Sequence, residues 1–254
     1  NVIAIAPTGS GKTEAALLWA SLKEKNSRIV YLLPTRVTSN AISERLKSYF
    51  DKDLNQVALI HSSAVSYQKL SRENNEYDGN EYLLDKVFFK NISVATIDQV
   101  LTSGFNLGYW ELKTFHLLNA KVIIDEIHLY SPYTLGLIVS TIEYLLNNFN
   151  TTFYLMSATM PKKLVSLLSK IFEKNKKEIK IIEDKQLLDS ARNTFVVIDD
   201  FVDSIDNLII ENFKSGKKVL LVVNTVSEAI RLTNKYEDLN PICYHSRFIV
   251  KDRA

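Results

Sequence analysis

The 254 residues suffice for one large domain or two of ordinary size, and a 46% apolar content supplies a core for either. No run approaches the roughly 18 consecutive apolar residues of a membrane helix, so we expect no membrane partner. The net charge of +2 is too small to indicate a nucleic-acid partner by itself, and the single cysteine, Cys243, excludes an internal disulfide or a Cys-rich zinc module and favours a reducing, cytoplasmic setting.

Seven short apolar runs with helical patterns between them predict buried strands. The runs are continuous rather than alternating, which is typical of parallel sheets that are covered on both faces. The alternation of strand and helix patterns predicts an α/β fold with a parallel sheet. In chain order, the predicted strands are 2–6, 29–33, 57–60, 92–97, 121–125, 152–156 and 179–182.

Helix starts follow several of these strands. Ser131 with Pro132 predicts an N-cap and a first-turn proline, and Pro161 opens a later helix in a similar way. Both starts lie directly after a strand that ends in polar residues, where α/β sheets build their sites. The apolar stripe of the first predicted helix consists of Ala15, Leu18, Trp19 and Leu22.

A charged segment at 174–194 predicts a connection between two domains, 1–185 and 186–254. A second alternation follows it, but three strands and two helices make only a small open half-sheet. We therefore expect the second domain to be incomplete within these residues. Its predicted elements are strands at 194–198, 219–223 and 242–245 and helices near 203–214 and from Thr225.

The octapeptide APTGSGKT, residues 6–13, lies between the first strand and the first helix, as a P-loop does. Gly9 and Gly11 let successive N–H groups form a concave anion site at the helix N-terminus. Lys12 can reach the β- and γ-phosphates, and the Thr13 hydroxyl can ligate Mg²⁺. The alternative is a chance match, which this placement disfavours. The predicted nucleotide-binding residues are Pro7, Thr8, Gly9, Ser10, Gly11, Lys12 and Thr13.

The stretch VIIDEIH, residues 122–128, contains the end of a predicted strand and two acidic residues there, Asp125 and Glu126. Its apolar residues place Asp125 at the carboxyl edge of the sheet, where an aspartate beside a P-loop holds Mg²⁺, usually through water. Glu126, where the chain leaves the sheet, is placed to orient or deprotonate a water that attacks the γ-phosphate. The predicted reaction is phosphoryl transfer to water.

Two other interpretations of this cluster are a zinc site and a solvated strand end. Zinc sites of the H-E-x-x-H kind need histidines spaced along one helix face. The P-loop disfavours a functionless strand end. The chain contains only four histidines, none of them four positions apart: His61, His116, His128 and His245.

Six motifs within residues 6–225 resemble, in order and spacing, those of superfamily 2 helicases. Four segments are most similar to the CRISPR-associated helicase-nuclease family of type I interference systems: VATIDQVL, DEIHLY, SATMP and YHSRFIVKDR. The six motifs are APTGSGKT, PTR (34–36), TIDQ (96–99), DEIH (125–128), SAT (157–159) and NT (224–225).

This resemblance implies a RecA-like first domain followed by part of a second one. It implies an ATP-dependent helicase that moves along single-stranded DNA in the prokaryotic cytoplasm, with ATP and Mg²⁺ as cofactors. It also implies recruitment to a guide-RNA surveillance complex and degradation of the unwound DNA by an HD nuclease domain or subunit. No HD-type histidine cluster is visible in residues 1–254, so we expect the nuclease on another segment or polypeptide.

The resemblance also implies roles for single residues. Lys12 and Thr13 would bind phosphates and Mg²⁺, while Asp125 would hold the metal and Glu126 would activate water. The residues that would link the nucleotide state to the DNA path and to the second domain are His128, Ser157, Ala158 and Thr159. The residues that would contact the phosphates and sugars of the DNA strand, independently of its sequence, are Pro34, Thr35, Arg36, Thr96, Asp98 and Gln99.

Plainer roles are open for some of these residues. Arg36 could be a surface charge on a helix that starts near residue 37, and Asp98 or Thr159 could be a helix N-cap. Ser246 and Arg247 match a second-domain motif without an assigned role.

The sequence departs from the family in two places. The arginine-bearing motif of the second domain and the nucleotide-contacting segment before the first strand do not occur within residues 1–254. Because an arginine finger changes turnover by several orders of magnitude, we expect this segment alone to bind ATP but to hydrolyse it poorly. Two other functions stay open: a general superfamily 2 RNA helicase, and a non-catalytic, nucleotide-dependent binding module.

Overall fold

Seven parallel strands form one sheet in the order β3-β4-β2-β5-β6-β1-β7. The computed structural model describes residues 1–22, 27–50, 56–65, 67, 79–184, 197 and 205–248. All seven predicted strands are confirmed, and so is the α/β class. The strands are β1 (Val2–Ile5), β2 (Ile29–Leu33), β3 (Val57–Ile60), β4 (Ile92–Thr96), β5 (Lys121–Ile124), β6 (Thr152–Ser157) and β7 (Lys180–Glu183).

Strands β1 to β6 are mostly apolar because both faces of the sheet are covered there, whereas all four residues of the edge strand β7 are exposed and the predicted burial of this strand is wrong. Alternate residues of each strand point to opposite faces. In β1, Ile3 packs in one hydrophobic cluster and Val2 in another, and in β2 Leu32 and Tyr31 divide in the same way. An alternating pattern would have left one face to water.

Helices of the first unit connect successive strands. Ser131 caps α6, where its side chain accepts a hydrogen bond from the Thr134 N–H, and Pro132 is the first helical residue, as predicted. The helices are α1 (Lys12–Ser21), α2 (Arg36–Phe50), α3 (Gly79–Lys86), α4 (Asp98–Leu101), α5 (Trp110–His116), α6 (Pro132–Asn148) and α7 (Lys162–Lys174), with 3-10 turns at Thr102–Phe105 and Ile127–Leu129.

The predicted buried stripe of α1 is wrong. The buried residues of this helix are Ala16, Leu17 and Ala20, whereas Leu18 and Leu22 are about two-thirds exposed. Leu17 is buried beside the two alanines, and Trp19 of the predicted stripe packs against the same hydrophobic cluster. The other three residues of the stripe, Ala15, Leu18 and Leu22, lie on the exposed side of the helix.

The chain divides into two compact units, Asn1–Ser190 and Ala191–Ala254. The predicted boundary after residue 185 lies outside the described residues. In the second unit, α8 (Asp206–Lys214) and α9 (Val226–Lys235) match the two predicted helices, and a 3-10 turn follows at Glu237–Leu239. The Thr225 side chain caps α9.

The predicted strands of the second unit do not appear in its described part. Residues 219–223 and 242–245 are in no strand, and the predicted strand at 194–198 lies outside the described residues except for residue 197. Leu220 is 84% exposed and Ile242 is 97% exposed. A strand requires a hydrogen-bonded neighbour, and the described residues offer these apolar runs none. Nor does any described helix have the length and apolar character needed to cross a membrane.

Candidate nucleotide and magnesium site

The loop between β1 and α1 has the backbone of an anion site. Gly9 and Gly11 have φ angles of +80° and +83°, and Gly11 caps the helix in the left-handed region. A side chain would strain this conformation, so the glycines are a requirement of the curl. The Lys12 Nζ donates to the carbonyl oxygens of Ala6 and Pro7, at 2.7 and 3.0 Å. The lysine is therefore folded along the loop whose anion site it would serve.

Asp125 follows β5 and is buried. Its Oδ1 accepts the N–H of Glu126 at 2.8 Å, and its Oδ2 accepts the hydroxyl of Tyr31 at 2.9 Å. Burial is the main reason that the pKa of this carboxyl is raised, and the hydrogen bond from Tyr31 opposes it. The Glu126 charge raises the pKa further, whereas the Lys12 ammonium lowers it. The P-loop lysine and the acidic pair thus act on one site.

Tyr31 is a site residue that the sequence interpretation missed. It lies in the middle of β2, is fully buried, and its hydroxyl donates a hydrogen bond to Asp125. Burial and the Asp125 charge raise the pKa of the phenol, so the hydroxyl stays protonated. The one signal in the sequence was a hydroxyl group within the apolar run IVYLL.

Glu126 has an unusual backbone, with φ 47° and ψ 44° in the left-handed region. This conformation turns the chain sharply after Asp125 and directs it into the 3-10 turn Ile127–Leu129. Such conformations cost about 1–3 kcal/mol for a residue with a side chain and cluster at functional sites. The position of Glu126 beside the Asp125 carboxylate is therefore held at an energetic cost.

A hydrogen-bonded chain links the end of β5 to the end of β6. The buried Ser157 hydroxyl donates to the Thr159 carbonyl oxygen at 2.6 Å, so its oxygen must accept from His128 Nδ1–H at 2.5 Å. Glu126 Oε2 lies 3.3 Å from the same Nδ1. Because the Nδ1 proton is directed at Ser157, Glu126 Oε2 is buried without a hydrogen-bond partner among the described residues. That oxygen is suited to accept a proton from water.

The oxygen donors fit a magnesium ion better than a zinc ion. Mg²⁺ is bound through one or two carboxylates, waters and substrate phosphates rather than by an all-protein cage. Thr13 and Asp125 share the neighbour Tyr31, and both supply oxygen. Across the described parts of the chain, no group of three or more His, Cys, Asp and Glu side chains could hold a metal ion. The zinc alternative therefore loses its ligand set.

The residues predicted to contact a nucleic-acid strand follow β2 and β4. Exposed Arg36 begins α2 and donates to the hydroxyls of Ser62 and Ser63, each at 3.4 Å. Asp98 is exposed, but Thr96 is only 5% exposed. The Thr96 side chain therefore lies below the surface that the other residues form.

Two plainer interpretations are wrong. The N-cap of α4 is Ile97 and that of α7 is Pro161, so neither Asp98 nor Thr159 is a cap. Asp98 instead accepts a hydrogen bond from Gln99 at 2.6 Å.

The loop after β3 adjoins Arg36 and was also missed. His61 donates through Nε2 to Asn40 Oδ1 at 2.8 Å, while its Nδ1 faces the Ser63 N–H at 3.3 Å. Burial lowers the pKa of His61, and the Arg36 charge lowers it further, so the ring is neutral at pH 7. The sequence shows this loop only as HSS after an apolar run.

Comparison with known proteins gives the chain a family. The sequence model of the DEAD/DEAH box helicases matches residues 1–167. A putative CRISPR-associated nuclease/helicase Cas3 of Methanocaldococcus jannaschii is 34% identical over 100% of this chain and 36% of its own length. A CRISPR-associated nuclease/helicase Cas3 of Methanothermobacter thermautotrophicus is 31% identical over 100% of this chain and 32% of its own length. The chain thus spans about a third of these relatives.

Solved structures give the same result. The crystal structure of T. fusca Cas3-ADP is 28% identical, with a TM-score of 0.57, over 68% of this chain and 20% of that chain. A chain of a CRISPR RNA-guided surveillance complex, pre-nicking, is 25% identical, with a TM-score of 0.50, over 68% of this chain and 18% of that chain. The matched residues 1–167 include the glycine loop, the acidic end of β5 and the Ser157 turn. This chain is therefore similar to Cas3 and belongs to the DEAD/DEAH box helicase family.

Proposed function

We propose that this chain is the ATPase motor of a Cas3-type helicase that moves along single-stranded DNA. The observation that carries the proposal is that the glycine loop before Lys12 and the buried Asp125 with Glu126 follow two parallel strands of one sheet, β1 and β5, at the same edge of that sheet. A protein that only bound nucleotide would have no need for Glu126, whose buried Oε2 accepts no hydrogen bond within the described residues.

Each residue has one task in the proposed reaction. The N–H groups of the glycine loop and the Lys12 ammonium bind the phosphates. Thr13 and Asp125 hold Mg²⁺, which when bound neutralises the charge on the β- and γ-phosphates. Glu126 orients the attacking water and accepts its proton. Glu126 lies beside His128, which is hydrogen-bonded to Ser157, and Ser157 donates to the Thr159 carbonyl oxygen. A change of charge at the phosphate is therefore passed along these contacts to Thr159. Thr159 begins the segment that leads into α7.

Arg36 and Asp98, with the neighbouring residues assigned above, would follow the DNA backbone. Sequence-independent contacts of this kind suit a motor that must pass over any sequence.

The proposed partners are a guide-RNA surveillance complex and an HD nuclease domain or subunit in the prokaryotic cytoplasm. Support comes from the two archaeal relatives, which are named nuclease/helicases, and from the neighbour within a surveillance complex. Degradation of the unwound strand would belong to the nuclease.

The choice of polymer tests the proposal. In the full-length protein, single-stranded DNA should raise the rate of ATP hydrolysis by at least about 10-fold, and RNA of the same sequence should raise it less. The measurement is phosphate release with each polymer at matched nucleotide concentration. Stimulation by RNA alone would favour the general RNA helicase, and stimulation by neither would favour the nucleotide-dependent binding module.

We further propose that the segment 1–254 alone binds ATP but hydrolyses it at least about 100-fold more slowly than the full-length protein, on the scale of an arginine finger. The apolar runs 219–223 and 242–245 have no strand partner in the described part of the second unit, which supports this. The measurement compares nucleotide binding and phosphate release for the two proteins. A segment as fast as the full-length protein would reject the proposal.

A further inference from the structure

Tyr31 contacts Asp125, one of the two groups that the proposed function assigns to Mg²⁺. It is in register with Ile123 of β5, two residues before Asp125, and its ring packs in the hydrophobic cluster that holds Ala16 and Ala20 of α1. One face of β2 therefore brings the phenol under the P-loop helix and beside the acidic strand end.

The hydrogen bond at Tyr31 runs in one direction. Its hydroxyl donates to Asp125 Oδ2 at 2.9 Å, because an ionised carboxylate oxygen can only accept. The phenol is therefore fixed by the carboxylate that it contacts.

The carboxylate is fixed in a similar way. Asp125 Oδ2 receives the proton of Tyr31 and Oδ1 receives the Glu126 N–H at 2.8 Å, so both oxygens have a set orientation. Tyr31 is 0% exposed, and bulk water therefore cannot replace its hydroxyl. Donors to metal-ligating groups typically change metal affinity or activity 10–100-fold when they are removed.

We propose that Tyr31 is a positioning residue for Mg²⁺, which sets the orientation of the Asp125 carboxylate through its phenol. The inference rests on the proposed function, in that Asp125 must hold the ion. It adds a requirement that the motifs themselves do not contain, namely a hydrogen-bond donor in the middle of β2.

The test is the Mg²⁺ dependence of nucleotide binding in the full-length protein. A fluorescent ATP analogue is titrated with Mg²⁺ for the wild type and for Tyr31→Phe, and its affinity is also measured in EDTA. We expect Tyr31→Phe to raise the Mg²⁺ concentration for half-maximal effect by roughly 10-fold or more, with the affinity in EDTA within about 2-fold of wild type.

Matched variants separate positioning from packing. Tyr154→Phe removes a hydroxyl from another buried tyrosine of the same hydrophobic cluster and should leave the Mg²⁺ dependence unchanged. If Tyr31→Phe does not fold, 4-fluorophenylalanine and 4-aminophenylalanine at position 31 serve instead. They fill similar space, but only the amino group can donate, so we expect near-normal Mg²⁺ dependence only for the amino variant.

The outcomes distinguish this inference from the proposed function. If wild-type nucleotide binding does not depend on Mg²⁺, the proposed site itself is wrong. If the wild type depends on Mg²⁺ but Tyr31→Phe matches it, only the role of Tyr31 is rejected. An equal loss of affinity with Mg²⁺ and in EDTA would also reject it, because a merely structural role would affect both.

Discussion

Lys12→Ala in the full-length protein should lower polymer-stimulated ATP hydrolysis by roughly 10²–10³-fold, as the loss of one charge-stabilising group at a transferring phosphoryl does. Nucleotide affinity should fall as well, because the ammonium binds the phosphates before and during the reaction. The lysine now donates to the carbonyl oxygens of Ala6 and Pro7, and it must exchange these bonds for the phosphates. Phosphate release and nucleotide titration measure the two effects.

Lys170→Ala is the matched control, since Lys170 is an exposed lysine on α7. It should leave both the rate and the affinity close to wild type. The melting temperature of Lys12→Ala should also stay close to wild type, because the freed carbonyl groups belong to a partly exposed loop. Polymer-stimulated hydrolysis that survives Lys12→Ala would show that the loop is not the phosphate site.

The sequence predicted the sheet well because its signals are local. A strand buried on both faces is apolar throughout, so β1 to β6 could be recognised without knowing their order, whereas β7 is an exposed edge strand that was predicted to be buried. The P-loop and Asp125 follow from motifs whose residues are fixed by phosphate and metal chemistry. Their joint placement at one edge of the sheet follows from the parallel direction of the strands.

Other features depend on distant parts of the chain and could not be predicted. Tyr31 is an ordinary buried aromatic until β5 brings Asp125 beside it, a separation of 94 residues. The buried face of α1 consists of Ala16, Leu17 and Ala20, and the apolar pattern of the helix does not distinguish this face from the exposed side with Leu18 and Leu22. The left-handed backbone of Glu126 likewise has no local signal, since glycine or asparagine would be the expected residue there.

The second unit shows the opposite error. An apolar run such as 219–223 has the composition of a strand, but a strand exists only with a hydrogen-bonded neighbour. In the described residues the small cluster of Ile209, Leu232 and Tyr236 forms between two helices, while Leu220 stays exposed. Composition therefore predicts only the tendency of a run to form a strand. Hydrogen bonding to a neighbouring strand decides whether the strand forms.

Glu126→Gln should lower polymer-stimulated ATP hydrolysis by roughly 10²–10⁴-fold in the full-length protein, which is the usual contribution of a general base. Glutamine has nearly the same shape, and its amide oxygen can occupy the position 3.3 Å from His128 Nδ1. It cannot accept a proton from the attacking water. Nucleotide affinity should therefore stay within about 3-fold of wild type, a pattern opposite to that of Lys12→Ala.

Glu111→Gln is the matched control, because Glu111 is an exposed glutamate in the first turn of α5 and should have no effect on the rate. Single-turnover phosphate release with the polymer bound separates the chemical step from product release, and the loss should appear in the chemical step. Unchanged hydrolysis in Glu126→Gln would reject the water-activating role. If hydrolysis is absent from the wild type as well, while nucleotide still changes its affinity for the polymer, the chain is a binding module and Glu126 has no catalytic task.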